Sequence, residues 1–142
     1  MQRKPPYWVV FIIYIAIRML SLASTIQHPP NIQVDHIVDD ILGSTYSLTI
    51  VYIGRKRAQS LNQKYRQKSY IPNVLSFPLT DQCGEIYICP EIAALEAKKR
   101  AFTTAGYITY LIIHGALHLV GYKHGQVMDT EETKYLRRYN IT

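Results

Sequence analysis

Three of the chain's five histidines stand within eleven residues, in the stretch HGALHLVGYKHG from 114 to 125. His114 and His118 are four positions apart, a spacing that stacks two side chains on one face of a helix. One zinc ion accepts two imidazoles so placed, each at about 2.0–2.1 Å. Gly121 tolerates the left-handed conformation in which helices end, so the turn Gly121-Tyr122-Lys123 can swing His124 back as a third ligand. Three protein ligands leave one position for water, the arrangement of a catalytic zinc, whereas a closed structural site wants a fourth ligand. A single histidine in an apolar helix is ordinarily a hydrogen-bonded core residue. Three at these offsets, around a helix-ending glycine, point to a metal site of His114, His118 and His124 holding one zinc ion per chain.

The same offsets occur in the HExxHxxGxxH pattern of zinc peptidases, which also carries a glycine at this place. There the residue after the first histidine is a glutamate, the general base that deprotonates the attacking water. Here that residue is Gly115. A metzincin-like metallopeptidase would lack its base, and this reading is secondary.

The elements that must carry the histidines follow from periodicity. Residues 105–120 are apolar nearly all round and read as a buried central helix. SLASTI (21–26), YSLTIVYIG (46–54), NVLSFPL (73–79) and GEIYIC (84–89) read as strands, the last two joined by a turn at Thr80-Asp81-Gln82. Apolar positions from Ile32 to Leu42 approximate helical spacing, and Gly43 stops that helix. RKRAQSLNQKYR (55–66) predicts a basic helix with Ala58, Leu61 and Tyr65 on its inner face. Pro90 suits the first turn of another helix through EIAALEAKKR, and MDTEETKYLRRY forms a final one. The expected fold is α+β: a single layered domain in which a mixed sheet of about four strands packs on the buried central helix. Periodicity does not determine the strand order.

Composition narrows the class. At 142 residues and 48% hydrophobic residues the chain is about one domain with a real core, which excludes a disordered chain. Its net charge of +6 suits anionic partners such as nucleic acid or a membrane surface, and on charge alone it suits an ordinary solvated surface equally well. The basic residues cluster at Arg55-Lys56-Arg57, at Lys64, Arg66 and Lys68, at Lys98-Lys99-Arg100 and at Arg137-Arg138. Cys83 and Cys89 make no paired zinc spacing and read as small buried hydrophobes in a reducing cytoplasm. The amino terminus carries an apolar run from Tyr7 to Ile17, then Arg18. A membrane span needs about 20 apolar residues, so the run is short for one. It reads as an extension over 1–18 with the domain proper at 19–142, or as a peripheral element. Membrane contact by residues 7–17, as an anchor that snorkels Arg18, is the less favoured reading.

HGALHLVGYKH resembles the HGxLHLxGYDH signature of the YbeY family, bacterial metal-dependent endoribonucleases of ribosomal RNA maturation. LNQKYR resembles that family's LNxxYR, NVLSFP its TDVLSFP, and GEIYIC its GDIxIS. The likeness covers roughly residues 46 to 135. It implies His114, His118 and His124 as metal ligands and Arg66 as the basic catalytic residue. It also implies RNA, not DNA, as the partner, specifically the ribosomal RNA of the small subunit. The departures are Lys123 for Asp, Pro72-Asn73 for Thr-Asp, and Glu85 for Asp. After His124, Met128 and either Glu131 or Glu132 match the family's M…E segment. A phosphodiester under attack by water gains negative charge that a metal and a planar guanidinium together stabilise. The basic helix 55–66 would track the RNA backbone in a salt-sensitive way. No aromatic signature of RNA binding stands out in the sequence.

The reading is thus a zinc-dependent, single-strand-specific endoribonuclease of ribosomal RNA maturation and ribosome quality control. Besides the peptidase, the rival is a non-catalytic metal-binding ribosome assembly factor. Lys123, which reverses a charge beside a ligand, keeps that rival in play.

Overall fold

The computed structural model describes residues 20–142. The expected extension over 1–18, with its apolar run, lies outside the described residues. Among the described residues no helix is long and apolar enough to cross a membrane.

The described residues form four strands and five helices, in chain order β1 (Leu20–Ser24), α1 (Asp35–Leu42), β2 (Ser47–Tyr52), α2 (Arg55–Arg66), β3 (Val74–Thr80), β4 (Cys83–Ile88), α3 (Pro90–Lys99), α4 (Thr104–Leu119) and α5 (Gln126–Arg138). The sheet runs β1-β2-β4-β3. β1 and β2 are parallel, as are β2 and β4, while β3 pairs antiparallel with β4. The expected α+β domain with a mixed sheet on a central helix is what forms. Pro78 has no N–H for a ladder, and it sits in β3, an edge strand, beside a register shift.

Alternation along β2 and β4 decides the two faces of the sheet. Leu48, Ile50 and Tyr52 alternate with half-buried residues in β2, and Gly84, Ile86 and Ile88 do so in β4. Their buried face joins Tyr107, Ile108, Leu111, Ile112 and Ala116 of α4 in one core. Each isoleucine buried there contributes about 1.5–3 kcal/mol relative to exposure. Two glycines let helix and sheet approach. A Cβ on Gly84 would stand 2.9 Å from Leu119, and one on Gly115 would stand 3.0 Å from Ile86. α4 is capped by Thr103, the residue before it, whose hydroxyl accepts the Gly106 N–H at 3.0 Å.

The opposite face is covered by α2, with Ala58 and Leu61 packed near Val51, Tyr87 and Cys89. One expectation for α2 is corrected. Tyr65 is 54% exposed, and Asn62 takes the buried place at 0%. Asn62 is held there because its amide donates to the Tyr70 carbonyl at 2.9 Å, pinning the segment after the helix. The two cysteines also differ: Cys89 is buried as expected, but Cys83, at the sheet margin, is only partly so.

Candidate metal centre and cleft

The three histidines come together at the C-terminal end of α4. His114 and His118 lie in its last turns with their Nε2 atoms 3.1 Å apart. The helix then stops as its glycine requires. Gly121 has φ of 102°, its N–H donates to the His118 carbonyl at 3.0 Å, and the Tyr122 N–H donates to the Leu117 carbonyl at 3.0 Å. This bond pair is the Schellman arrangement, and Tyr122 packs in the same cluster as Leu117 to complete it. The reversed chain brings the His124 ring to 4.5 Å from that of His118 and 5.2 Å from that of His114, centroid to centroid. One ligand atom from each ring lies within 4.8 Å of the others, so the group can hold a metal ion.

The outer ring nitrogens are engaged, and this tests the fit. His118 Nδ1 lies 2.9 Å from the Tyr122 carbonyl, which can only accept, so Nδ1 carries the proton. His114 Nδ1 lies 2.5 Å from Glu132 Oε1, a carboxylate that also accepts. With the Nδ1 atoms so engaged, the two Nε2 atoms are left facing each other across 3.1 Å. Two ring nitrogens so close need a proton or a metal ion between them. Imidazole nitrogens at about 2.0–2.1 Å from one zinc ion in tetrahedral array stand about 3.3 Å apart, close to what is found. Burial, joined by the neighbouring His114 and His124, holds the His118 pKa below its ordinary 6.5. That favours the neutral ring a metal needs. The donor set fits a zinc-class ion.

Glu132 is the residue whose role sequence reasoning left unresolved against Glu131. It is 8% exposed on α5 and faces His114, while Glu131 points outward and pairs with Lys134 at 2.8 Å. Met128, one turn before Glu132, is buried with Ile113 and Leu117, which docks α5 against α4. Arg138 donates to Asp40 of α1 at 2.9 Å, and the Tyr139 hydroxyl donates to the same carboxylate, fastening the far end of α5. These bonds, Tyr139 foremost, hold the Asp40 carboxyl below its usual range. The Tyr110 hydroxyl approaches the second Glu132 oxygen at 3.4 Å. Burial, with that carboxylate beside it, pushes the Tyr110 phenol up to about 12, so it remains a donor.

Arg66, the last residue of α2, lines the same cleft as His114, His118 and His124, a space of about 630 Å³. Strand β3 forms its wall, tied to α4 by the Ser76 hydroxyl, which donates to the Gly115 carbonyl at 2.9 Å. The sequence placed Arg66 and the histidines apart by 48 residues or more, and the fold sets them around one cavity. Gly115 presents no side chain there, and Ile86 fills the space a larger residue would need. Glu85 stands away from the histidines on the α2 face, where it accepts from the Tyr87 hydroxyl at 2.9 Å. Lys123, beside His124, is exposed.

Comparison with known proteins agrees on one family. The family described as Endoribonuclease YbeY matches residues 23–140. A relative of that name from Thiobacillus denitrificans is 30% identical over 123 residues, 80% of this chain and 84% of that protein. One from Bdellovibrio bacteriovorus is 36% identical over 96 residues, 66% of this chain. One from Coxiella burnetii is 38% identical over 97 residues, 63% of this chain. The chain spans 61% of the length of the Bdellovibrio relative and 64% of the Coxiella one. A solution structure from Thermotoga maritima shares the fold, with a TM-score of 0.60 and 22% identity over 86% of this chain and 92% of that one.

Proposed function

The chain belongs to the YbeY family, and from that premise we propose that it is a metal-dependent endoribonuclease hydrolysing single-stranded RNA. The reading extends to ribosomal RNA of the small subunit as substrate, to ribosome quality control as its setting, and to the cytoplasm as its place. The observation that carries it is the convergence of His114, His118 and His124, with the first two Nε2 atoms 3.1 Å apart, on the cleft that Arg66 also lines.

His114, His118 and His124 would hold the ion, and zinc is the metal we propose. When bound, it supplies Lewis acidity, which lowers the pKa of water and polarises a phosphoryl oxygen. Glu132 and the Tyr122 carbonyl keep the first two rings in the tautomer that binds metal. Arg66 offers planar paired donors to phosphate oxygens and opposes the negative charge that builds on them during attack. Lys56, Arg57, Lys64 and Lys68, exposed on or just beyond α2, draw the strand in through long-range attraction. Gly115 argues against the peptidase, because Ile86 occupies the space where a glutamate base would stand. The assembly-factor reading rests on Lys123, a cation next to His124, and predicts metal binding without turnover.

Incubation with labelled single-stranded RNA and with casein, each with and without a chelator and with zinc added back, separates the three. The proposal expects RNA cleavage that the chelator abolishes and zinc restores, with casein intact. Zinc-loaded protein that leaves RNA uncut would overturn it.

A further inference from the structure

Twelve tyrosines and three phenylalanines occur in the chain, yet among the described residues only Tyr65 and Tyr70 are exposed aromatics, each at 54%. Both line the cleft of the histidines, and they bracket Arg66. Aromatic rings exposed by accident would scatter over the surface, whereas these two share one cavity with a guanidinium and a metal-ligating group. We propose that Tyr65 and Tyr70 form a base-stacking subsite, taking unpaired nucleobases next to the phosphate that Arg66 holds. The proposal rests on the endoribonuclease reading and says how that site selects single strands.

Each aromatic residue is anchored on one side and exposed on the other, with the flexible Lys64 side chain reaching over the Tyr65 ring at 5.1 Å from its centroid, where a stacking base would displace it. Tyr65 meets Phe77 edge-on at 5.3 Å and 63°, and Phe77 meets Tyr87 at 5.7 Å and 76°. Such edge-to-face pairs are favoured geometries, so the three rings brace Tyr65 against the sheet. Tyr70 is fixed through its backbone. Its carbonyl accepts from Asn62, and the adjacent Ser69 carbonyl accepts from Gln59 at 2.7 Å. Its hydroxyl lies 3.4 Å from Arg66 Nη1. Asn62 thus earns its burial by placing an aromatic ring in the cleft. Residues whose backbone and neighbours are already set lose less freedom when a base stacks on them. Every base has a flat face, so this contact reads single-strandedness rather than sequence. A paired base in a duplex is already covered by its neighbours and cannot use it.

The test is fluorescence anisotropy of short labelled RNA single strands on the zinc-loaded protein at fixed salt. Cleavage is followed in parallel on the same strands. Replacing Tyr65 or Tyr70 by Ala should weaken binding roughly five- to a hundredfold each. Tyr65→Phe and Tyr70→Phe should bind as wild type, because the ring is kept. Tyr65→Leu, which still fills the space against Phe77, should fail like Ala and so excludes lost packing as the cause. Strands with a single abasic position should weaken wild type at particular positions and should have little further effect there on the Ala variants. Equal binding by Ala variants and wild type would overturn the subsite, as would Phe variants as weak as Ala. Abasic penalties that are identical in Ala variants and wild type would do the same. Absence of cleavage by wild type, with ring-dependent binding intact, would instead count against the endoribonuclease reading and leave the subsite standing.

Discussion

Glu132 is expected to set metal affinity without being a ligand. Its carboxylate lies 2.5 Å from His114 Nδ1 and is 8% exposed, so water screens the interaction little. Glu132→Gln keeps the shape and an accepting oxygen but removes the charge. A hydrogen bond to a charged group is worth about 1.5–3 kcal/mol, more than a neutral one. Loss of such partners behind metal-bound histidines lowers affinity by about 10–100-fold, which is about 1.4–2.8 kcal/mol, and the two ranges agree. Glu132→Leu should cost more, because the Nδ1 proton then has no acceptor and the ring gains by shifting it to Nε2, where the metal must bind. Competition titration against a chromophoric zinc chelator at fixed pH measures this. Glu131→Gln, one residue away, loses only a surface pair with Lys134 and should leave zinc affinity unchanged. If Glu132→Gln binds zinc as tightly as wild type, the orienting role assigned to Glu132 is wrong.

Four more outcomes follow from the same geometry. Arg66→Lys should stay folded and metal-loaded yet lose about 10²–10³ in single-turnover RNA cleavage, since lysine keeps the charge but lacks the planar fork; a wild-type rate would return Arg66 to the basic surface. His118→Ala should lose most bound zinc by elemental analysis, and full retention would refute the ligand set. His118's pKa is lowered by burial, so the unfolded chain takes up its proton first as pH falls. The metal-free protein should therefore hold its full His118 contribution above pH 6.5 and lose thermal stability as pH drops below that value, a slope that His118→Gln should flatten. Gly115→Glu should destabilise, because overpacking against Ile86 costs about 1–3 kcal/mol and outweighs the about 1 kcal/mol gained by replacing a helical glycine; denaturant melts would read the sign.

Much of the architecture was legible because it is local. The α2 boundaries follow from a basic helical stretch between Gly54 and Gln67, and β2 and β4 from alternating apolar residues. The helix stop at Gly121 follows from a single glycine, and the Schellman bonds complete it. The inner face of α2 was misjudged at Tyr65 for a physical reason. An aromatic ring at helical spacing normally seeks the core, but here the buried place went to Asn62, whose amide satisfies a loop carbonyl 8 residues on.

The three histidines lie within eleven residues, so helix geometry and one turn suffice to bring them together, and the sequence alone determined the candidate ligand set. Glu132 and Arg66 depended on something else. Glu132 reaches His114 only because Met128 docks α5 on α4, and nothing in its own neighbourhood distinguishes it from Glu131. Arg66, Tyr65 and Tyr70 meet the histidines only because α2 and α4 pack on opposite faces of one sheet and converge at its β3 edge. Backbone periodicity acts over a few residues and is written in the chain. Which distant side chains share a cavity depends on strand order and close packing, and only the tertiary structure decides that.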